Sequence, residues 1–269
     1  MDFKKNIITS QSNLKIKEAL DLRDGSARKK KRLFLIEGLK ELELALTCGV
    51  IINTLYFCPE FFSTNKEPDF IEACRRKNAG IIELGQKAYL KIAFGNRHEG
   101  LIAVGRFADL SLAALKLKER PLIMVVEAIE KPGNLGAMLR TADACGVDAF
   151  ILASPLTDIY NPNVVRSSLG AVFSVKIAQA KSEEVVSWLK DNKIKIICAA
   201  VDSKEKYTGF DYRLPCAVVL GSEEKGLSDI WLESADKRLK IPMKGKVDSL
   251  NVSVACGAFL FEALRQRSV

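Results

Sequence analysis

The hydrophobic residues in the C-terminal part of the chain form short continuous runs that alternate with segments of helical periodicity. The runs predict strands over 122–127, 149–153, 172–177, 194–200 and 217–220, and the periodic segments predict helices over 135–145, 183–190 and 251–265. Near-continuous apolar strands that alternate with helices are typical of a parallel sheet covered on both faces. We therefore predict an α/β domain over 121–269, with its ligand site at the carboxyl ends of the strands.

The first hundred residues show a second, smaller α/β pattern. Ser12 and Asn13 begin a predicted helix, and Asp24 with Gly25 ends it through turn chemistry. The other predicted elements are strands over 33–36, 54–57, 80–84 and 101–107 and a helix over 39–46. Residues 108–118 fit a short amphipathic helix or a linker, and Pro121 begins the next strand. The predicted domains are thus 1–107 and 121–269, joined by a linker over 108–120.

Composition narrows the class of protein. The chain has 269 residues, of which 48% are hydrophobic and 28% charged, as expected for a globular protein with a substantial core. No apolar run approaches the ~18 residues that span a bilayer, and no apolar signal core follows the N-terminal lysines, so we expect a cytoplasmic protein without a membrane partner. The seven cysteines are scattered and never spaced as CxxC. They predict buried thiols rather than disulfides or a metal site.

The positive charge is concentrated in the N-terminal domain. Residues 1–107 carry 19 Lys and Arg against 13 Asp and Glu, whereas residues 108–269 carry 22 against 20. The densest cationic block consists of Arg28, Lys29, Lys30, Lys31 and Arg32. Such blocks bind phosphate backbones through counterion release. On charge alone, RNA contact and a solvated, solubilising loop are equally good interpretations.

Three segments rich in glycine and polar residues follow predicted strands of the C-terminal domain. Their characteristic residues are Asn134, Gly136 and Arg140 in the first segment, Leu220, Gly221, Ser222, Glu223 and Gly226 in the second, and Ile241, Met243, Ser249, Leu250 and Asn251 in the third. Because the carboxyl ends of parallel strands meet at one edge of a sheet, the sequence predicts that the segments form one site.

Each segment taken alone also has a purely structural interpretation. Asn134 fits a helix N-cap, Arg140 a surface charge, and Ser249 or Asn251 a cap of the final helix. The first segment lacks the GxGxxG fingerprint and its acidic partner, which argues against a dinucleotide site. Gly136 lies four residues before Arg140, on the same helix face, and so leaves room beside the guanidinium.

In order, spacing and position, the three segments resemble the SpoU/TrmH group of RNA ribose 2′-O-methyltransferases. Residues 161–170, which include Arg166, are similar to the same family, and Ile8–Ser10 with Phe34–Gly38 looks like its N-terminal domain, which resembles ribosomal protein L30e. Glu37 and Gly38 fit the start of a helix equally well. The resemblance implies a SPOUT-type parallel sheet with a deep trefoil knot, which general topology rules would argue against, beside a smaller L30e-like domain that binds RNA.

The resemblance also implies S-adenosyl-L-methionine as the cofactor, RNA as the substrate and a homodimer. Ribosomal RNA is the first choice of substrate and transfer RNA the second. The final helix carries the apolar residues Phe259, Leu260, Phe261 and Leu264. They are more than the helix needs to pack one face on the sheet, so the remaining apolar surface fits a homodimer contact. With this resemblance, RNA contact becomes the favoured interpretation of the cationic block.

The implied site residues fall into three groups. The catalytic group is Asn134, Arg140, Glu223, Ser249 and Asn251. The cofactor-binding group is Leu220, Gly221, Ser222, Glu223, Gly226, Ile241, Met243, Leu250 and Asn251. The RNA-binding group is Arg28, Lys29, Lys30, Lys31, Arg32 and Arg166. Glu223 is expected to orient a partner such as Asn134 or Arg140.

A ribose hydroxyl becomes a good nucleophile only when its proton is removed or its developing charge is stabilised. His98, the only histidine in the sequence, belongs to the other predicted domain, which leaves Arg140 as the candidate. The family is usually assigned an arginine base, but a guanidinium holds its proton strongly. We therefore predict that Arg140 stabilises the alkoxide and positions phosphate, while phosphate or water assists proton removal.

Two other classes of protein compete with this interpretation. The first is a non-catalytic RNA-binding or ribosome-assembly factor on the same scaffold, against which the intact site residues argue. The second is a nucleotide-binding oxidoreductase, which would need a glycine fingerprint that the sequence lacks.

Overall fold

The computed structural model describes residues 7–94, 98–247 and 249–268. The chain divides into two compact units. Unit 1 comprises the chain up to Ala108 together with Ile159–Ser174, and unit 2 comprises Asp109–Asp158 and the chain from Val175 onward.

The secondary structure elements are named in chain order. The first half contains α1 (Leu14–Asp21), α2 (Gly25–Lys31), β1 (Leu33–Glu37), α3 (Leu39–Thr47), β2 (Ile52–Phe57), α4 (Glu67–Arg76), β3 (Gly80–Glu83), α5 (Gln86–Ile92), β4 (Leu101–Arg106), β5 (Leu122–Glu127) and α6 (Pro132–Ala144). The second half contains β6 (Ala149–Ala153), α7 (Pro162–Ser167), α8 (Ala171–Ser174), β7 (Ile177–Ala180), α9 (Ser182–Asp191), β8 (Lys195–Ala199), β9 (Glu205–Lys206), β10 (Cys216–Leu220), α10 (Asp229–Ser234), β11 (Lys237–Lys240) and α11 (Val252–Arg267).

Unit 1 is built on a four-stranded sheet in the order β1-β4-β2-β3. Strand β4 is antiparallel to β1 and β2, and β3 is parallel to β2. Asn13 begins α1 as predicted, because its side chain accepts a hydrogen bond from the Lys15 N–H at 2.9 Å. Asp24, predicted as part of a turn, accepts from the Ala27 N–H at 3.0 Å and so caps a second helix, α2.

The segment 159–174 belongs to unit 1, although the sequence predicts it as part of the C-terminal domain. Its aromatic residues pack on β1, since the ring centroids of Tyr160 and Phe173 lie 4.3 and 5.8 Å from that of Phe34. The Tyr160 hydroxyl also accepts a hydrogen bond from the Ala108 N–H at 3.0 Å. These contacts span more than fifty residues of chain and leave no local sequence signal.

Unit 2 is built on parallel strands in the order β7-β6-β5-β10-β8-β11-β9 within the described residues. Every residue of β5, β6 and β10 is buried, which confirms the predicted parallel sheet. Helices α9 and α10 pack on one face through a core that includes Val185, Leu189 and Trp231. Helix α11 lies against the other face, where the Cys256 thiol is 3.8 Å from the Met124 sulfur.

The predicted strand over 172–177 is wrong. Residues Ala171–Ser174 form the helical turn α8, and the strand begins only at Ile177. Short apolar runs suit a buried helical turn as well as a strand, and here Ala171 and Val172 are buried in unit 1. Strand β11 precedes the third segment, where a strand was expected, but its limits were not predicted, because Lys237, Arg238 and Lys240 obscure the single buried residue, Leu239.

The seven cysteines are free thiols, of which six are buried as predicted and Cys48 is exposed. Across the described ranges, no three His, Cys, Asp or Glu side chains are grouped in a way that could hold a metal ion. None of the helices in these ranges is long and apolar enough to cross a bilayer.

Candidate active site

A cavity of about 660 Å³ opens in unit 2 at the carboxyl ends of β8, β10 and β11 and beside the start of α11. Its lining consists of Lys131, Ala199–Val201, Leu220–Gly226, Leu239–Ile241, Met243, Ser249–Val252, Ala255 and Phe259. All nine residues predicted to bind the cofactor line this cavity, and so does Ser249. The sheet therefore brings the second and third predicted segments together at one edge.

Sequence reasoning missed the contribution of Ala199, Ala200 and Val201 to the cavity. These residues follow the buried strand β8, whose position the sequence predicts. The rule that ligands bind at the carboxyl ends of parallel strands applies equally to this strand. The three residues give no signal of ligand binding in the sequence, because their side chains are small or apolar.

Residues 221–228, here called the 221–228 loop, make a tight turn. Ser222 and Gly226 exchange two backbone hydrogen bonds of 3.0 and 3.1 Å. A Cβ atom on Gly221 would overlap the backbone of Gly226 and Leu227. Gly226 itself has a φ of +68°, a backbone conformation that residues with a side chain rarely adopt. Both glycines are thus required by the backbone of the cavity wall.

A hydrogen-bond chain joins all three predicted segments. The Asn134 amide nitrogen donates to the Glu223 carboxylate at 2.5 Å, and the Asn251 amide nitrogen donates to the Asn134 carbonyl oxygen at 3.3 Å. Glu223 thus orients Asn134 rather than Arg140. Its second oxygen, Oε2, is buried and has no hydrogen-bond donor within the described residues.

Asn134 and Asn251 both fit a helix N-cap by sequence, but only Asn251 is one in the structure. Lys131, not Asn134, is the N-cap of α6, and Pro132 occupies the first helical position, where its missing N–H costs nothing. Asn251 is a true N-cap, since its side-chain oxygen accepts from the Ser253 N–H at 2.9 Å. Because its amide nitrogen also reaches Asn134, Asn251 both caps α11 and joins the chain of polar groups.

Arg140 lies on α6, two turns after its start, and is exposed. It does not line the cavity. Among the residues that the structure describes, its guanidinium has no hydrogen-bond or ion-pair partner. The side chain is therefore available to a ligand outside the cavity.

The cationic block in unit 1 is helical, not a loop, and its members differ in exposure. Including Arg28 in the RNA-binding group is wrong, because this residue is only 2% exposed and its guanidinium donates to the Leu22 and Arg23 carbonyls, both at 2.9 Å. Lys29, Lys30, Lys31 and Arg32 are exposed. Lys31 is paired with Asp21 at 2.9 Å, and the Arg32 guanidinium lies 5.8 Å from the Phe107 ring centroid.

Arg166 lies on α7 in unit 1, half-buried, and donates to the Phe94 carbonyl at 2.6 Å. Its role in RNA binding stays a prediction. Nearby, Glu37 accepts from the Phe94 N–H at 2.6 Å, and its Oε1 atom has no donor within the described ranges. Burial raises the pKa of Glu37 from 4.5 to about 7, although the Phe94 N–H and the charge of Arg166 oppose this shift.

The raised pKa of Glu37 predicts that stability depends on pH. The folded state keeps the Glu37 proton up to about pH 7, whereas the unfolded chain releases it near its ordinary pKa of 4.5. The free energy of unfolding should therefore fall as the pH rises from about 4.5 to about 7. Glu37→Gln should raise the melting temperature at pH 8 and leave it nearly unchanged at pH 4.5.

Scanning calorimetry at both pH values checks this prediction. Glu119→Gln, which changes an exposed carboxylate, is the control and should shift the melting temperature little at either pH. If Glu37→Gln shifts the melting temperature equally at both pH values, the folded protein does not retain the Glu37 proton as proposed.

Known proteins resemble this chain in both sequence and structure. Residues 121–261 match the SpoU rRNA Methylase family, and residues 13–103 match the MRM3-like substrate binding domain. The chain is 33% identical over 218 residues to the 23S rRNA (guanosine-2′-O-)-methyltransferase RlmB of Ralstonia nicotianae, covering 78% of this chain and 88% of that protein. It is 28% identical over 254 residues to RlmP of Bacillus subtilis, a 23S rRNA (guanosine(2553)-2′-O)-methyltransferase, covering 94% and 97%.

Solved structures agree with these relatives over almost the whole chain. An RNA 2′-O ribose methyltransferase superposes with a TM-score of 0.85 at 36% identity, covering 97% of this chain and 99% of that one. The AdoMet-bound rRNA methyltransferase of Sinorhizobium meliloti gives 0.90 at 27% identity and covers 98% of each chain. With its predicted segments gathered at one edge of the parallel sheet, the chain belongs to the SpoU rRNA methylase family.

Proposed function

We propose that this protein methylates a ribose 2′-oxygen of ribosomal RNA with S-adenosylmethionine as the methyl donor. The observation that carries the proposal is the cavity at the edge of the unit 2 sheet, lined by every residue for which the family resemblance implies cofactor contact. Relatives named as 23S rRNA 2′-O-methyltransferases favour ribosomal RNA over transfer RNA. The proposal includes a cytoplasmic site of action and the trefoil knot that the family implies for unit 2.

The cavity has the size and chemistry that S-adenosylmethionine requires. Its volume of about 660 Å³ suits a ligand of this size. Apolar side chains from Leu220, Ile241, Met243 and Leu250 suit the adenine ring and the methionine carbons. The polar side chains of Ser222 and Asn251, which line the cavity, suit the ribose and amino acid groups.

S-adenosylmethionine supplies a methyl group activated by its sulfonium. In the proposed mechanism the exposed Arg140 guanidinium binds an RNA phosphate and stabilises the negative charge that develops on the ribose oxygen. Phosphate or water accepts the proton, since a guanidinium does not act readily as a base. Asn134 is held by Glu223 and Asn251, so the start of α6 stays fixed relative to the cavity. This positioning supports an in-line approach of the two reactants.

RNA recognition is assigned to exposed cations of unit 1. Lys29, Lys30 and Arg32 are exposed, and Lys31 keeps two N–H donors beside its contact with Asp21. Contacts to phosphate position an RNA without reading its sequence. We therefore expect this helix to contribute affinity and salt dependence rather than choice of nucleotide.

Calorimetric titration tests the cofactor assignment. S-adenosylmethionine should bind with a stoichiometry of about one per chain, and NAD should not bind, because the sequence lacks a dinucleotide fingerprint. Binding of NAD but not of S-adenosylmethionine would support an oxidoreductase instead. Cofactor binding without methyl transfer to any ribosomal RNA would support the non-catalytic alternative.

Asn251→Ala should weaken cofactor binding about tenfold, the effect of losing roughly one well-placed hydrogen bond. The same change removes the cap of α11 and should cost about 1 kcal/mol of stability. Asn251→Ser is the matched control, since serine retains capping but cannot reach Asn134. Titration of both variants should give weak binding, while only Asn251→Ala loses stability. If Asn251→Ser binds the cofactor with normal affinity, Asn251 acts only as a helix cap.

The homodimer is a further part of the proposal. Phe259 and Leu260 are buried within unit 2 and cannot contribute, which corrects part of the sequence argument. Leu250, Val254 and Phe261 are 41%, 56% and 54% exposed and recur at helical spacing along and just before α11. Such an exposed apolar stripe is typical of a protein interface.

Light scattering at micromolar concentration should give the mass of two chains. Phe261→Glu should shift the protein towards the monomer, because it places a charge within the apolar stripe. Ile51→Glu, at a position of unit 1 that is 60% exposed, is the control and should leave the mass unchanged. A monomeric wild-type protein would contradict the proposed dimer.

A further inference from the structure

Glu127 is a buried carboxylate that the proposed mechanism does not use. It is the last residue of β5, whose other residues are all apolar, and it is 6% exposed. A buried carboxylate is costly unless hydrogen-bond donors surround it. The identity of its donors therefore indicates what the side chain holds in place.

Within the described residues, three hydrogen bonds satisfy this carboxylate. Ser228 donates twice, from its backbone N–H to Oε2 at 2.8 Å and from its hydroxyl to Oε1 at 2.7 Å. Ser182, the first residue of α9, donates its hydroxyl to the same Oε1 at 2.7 Å. Two of the three come from the end of the 221–228 loop.

The other end of this loop is held by β10, which ends at Leu220. Between the two ends, Ser222, Glu223 and Gly226 line the cavity. Ser228 is the N-cap residue of α10, but its side chain makes no capping hydrogen bond within that helix. The hydroxyl is committed to Glu127 instead. Glu127, Ser182 and Ser228 are not among the residues that line the cavity.

We propose that Glu127 is a positioning residue that fixes the 221–228 loop to the sheet and thereby maintains the cofactor-binding wall. The cofactor part of this inference rests on the proposed function. The carboxylate acts from behind the cavity through Ser228, and the Glu223 contact with Asn134 depends on the same loop. A ligand that binds this wall then does not have to order the loop on binding, which favours affinity.

Ser228→Ala and Ser182→Ala form a matched pair of variants. Each removes one hydroxyl that donates to Glu127 Oε1 at 2.7 Å, but only Ser228 belongs to the loop. If Glu127 is merely a satisfied core carboxylate, neither variant should affect the loop or the cofactor. If Glu127 holds the loop, only Ser228→Ala should affect them.

Trypsin cleavage after Lys225, an exposed residue within the loop, reports on the loop without any cofactor. Ser228→Ala should be cut several times faster than the wild type in the native state, because weaker anchoring raises the population of open loop. Ser182→Ala should be cut at the wild-type rate. Equal rates for both variants would overturn the inference, whether or not the protein binds S-adenosylmethionine.

Titration with S-adenosylhomocysteine gives the second readout. Ser228→Ala and Glu127→Ala should raise the Kd about tenfold, which corresponds to 1.4 kcal/mol. Glu127→Gln should restore part of the affinity, since its amide can satisfy Ser228 once the hydroxyls rotate to accept. Ser182→Ala should stay within about twofold of the wild type, well below the tenfold change that 1.4 kcal/mol produces.

The two readouts separate failure of the inference from failure of the proposed function. Unchanged affinity in Ser228→Ala and Glu127→Ala, in a protein that binds the ligand normally, would overturn the positioning role alone. Absence of binding by the wild type would overturn the proposed cofactor, and proteolysis would still decide whether Glu127 holds the loop.

Discussion

Arg140→Ala is expected to lower the rate of methyl transfer about 10²–10³-fold, the usual effect of removing one group that stabilises an oxyanion. Cofactor affinity should change less than about twofold, far below the tenfold change that 1.4 kcal/mol produces, because Arg140 does not line the cavity. The guanidinium has no protein partner within the described residues, so its removal breaks no internal contact. The loss should therefore appear in kcat, as for an interaction made mainly in the transition state.

Single-turnover methyl transfer and titration with S-adenosylhomocysteine measure the two quantities separately. Arg140→Lys is the matched variant, since it keeps the charge but loses the planar fork that binds phosphate at two points. It should recover only part of the rate. If Arg140→Ala retains near-normal turnover on ribosomal RNA, the proposed mechanism is wrong.

Gly221→Ala is expected to weaken cofactor binding about 30- to 150-fold, which corresponds to the 2–3 kcal/mol of a forced backbone shift. The added Cβ atom would overlap the backbone of Gly226 and Leu227, which cannot move aside as a flexible side chain can. The loop must then open, which separates Ser222 from Gly226 and displaces one wall of the cavity.

Gly245→Ala is the control for the general effect of replacing glycine. Gly245 lies in the third segment, and a Cβ atom there would meet no atom of the described residues within 4 Å. Titration should give normal affinity for Gly245→Ala and a Kd raised about 30- to 150-fold for Gly221→Ala, while circular dichroism shows that both variants are folded. Normal affinity of Gly221→Ala would mean that the 221–228 loop does not form the cofactor-binding wall.

The sequence predicts the unit 2 sheet well because burial on both faces leaves a direct signal. Strands β5 and β6 have the predicted limits, and β10 begins one residue earlier than predicted. The rule for ligand sites on parallel sheets then correctly brings the second and third segments together. The hydrogen bond between Glu223 and Asn134 was also among the expected contacts.

The sequence-based predictions fail where contacts between residues distant in the chain override the local sequence pattern. Arg28 looks like a member of a solvent-exposed cationic block, but the carbonyl groups at the end of α1 bind its guanidinium. Val172 suits a strand locally, yet the packing of unit 1 makes it helical. Glu127 gives no signal in the sequence, because nothing in a strand predicts that Ser228, about a hundred residues later, will bind its carboxylate.

In the proposed function, unit 2 methylates a ribose 2′-oxygen of ribosomal RNA. The most direct test is to incubate the wild-type protein with radiolabelled S-adenosylmethionine and unmodified ribosomal RNA, and then hydrolyse the RNA with alkali. A methyl group on a 2′-oxygen blocks cleavage of the adjacent phosphodiester. We predict that the label is recovered in alkali-resistant dinucleotides from a single position, and that Arg140→Ala forms them about 10²–10³-fold more slowly. If the label is recovered only in mononucleotides, alkali has cleaved next to the methylated nucleotide and its 2′-hydroxyl was free. The methyl group would then lie on a base, which would contradict the proposed function.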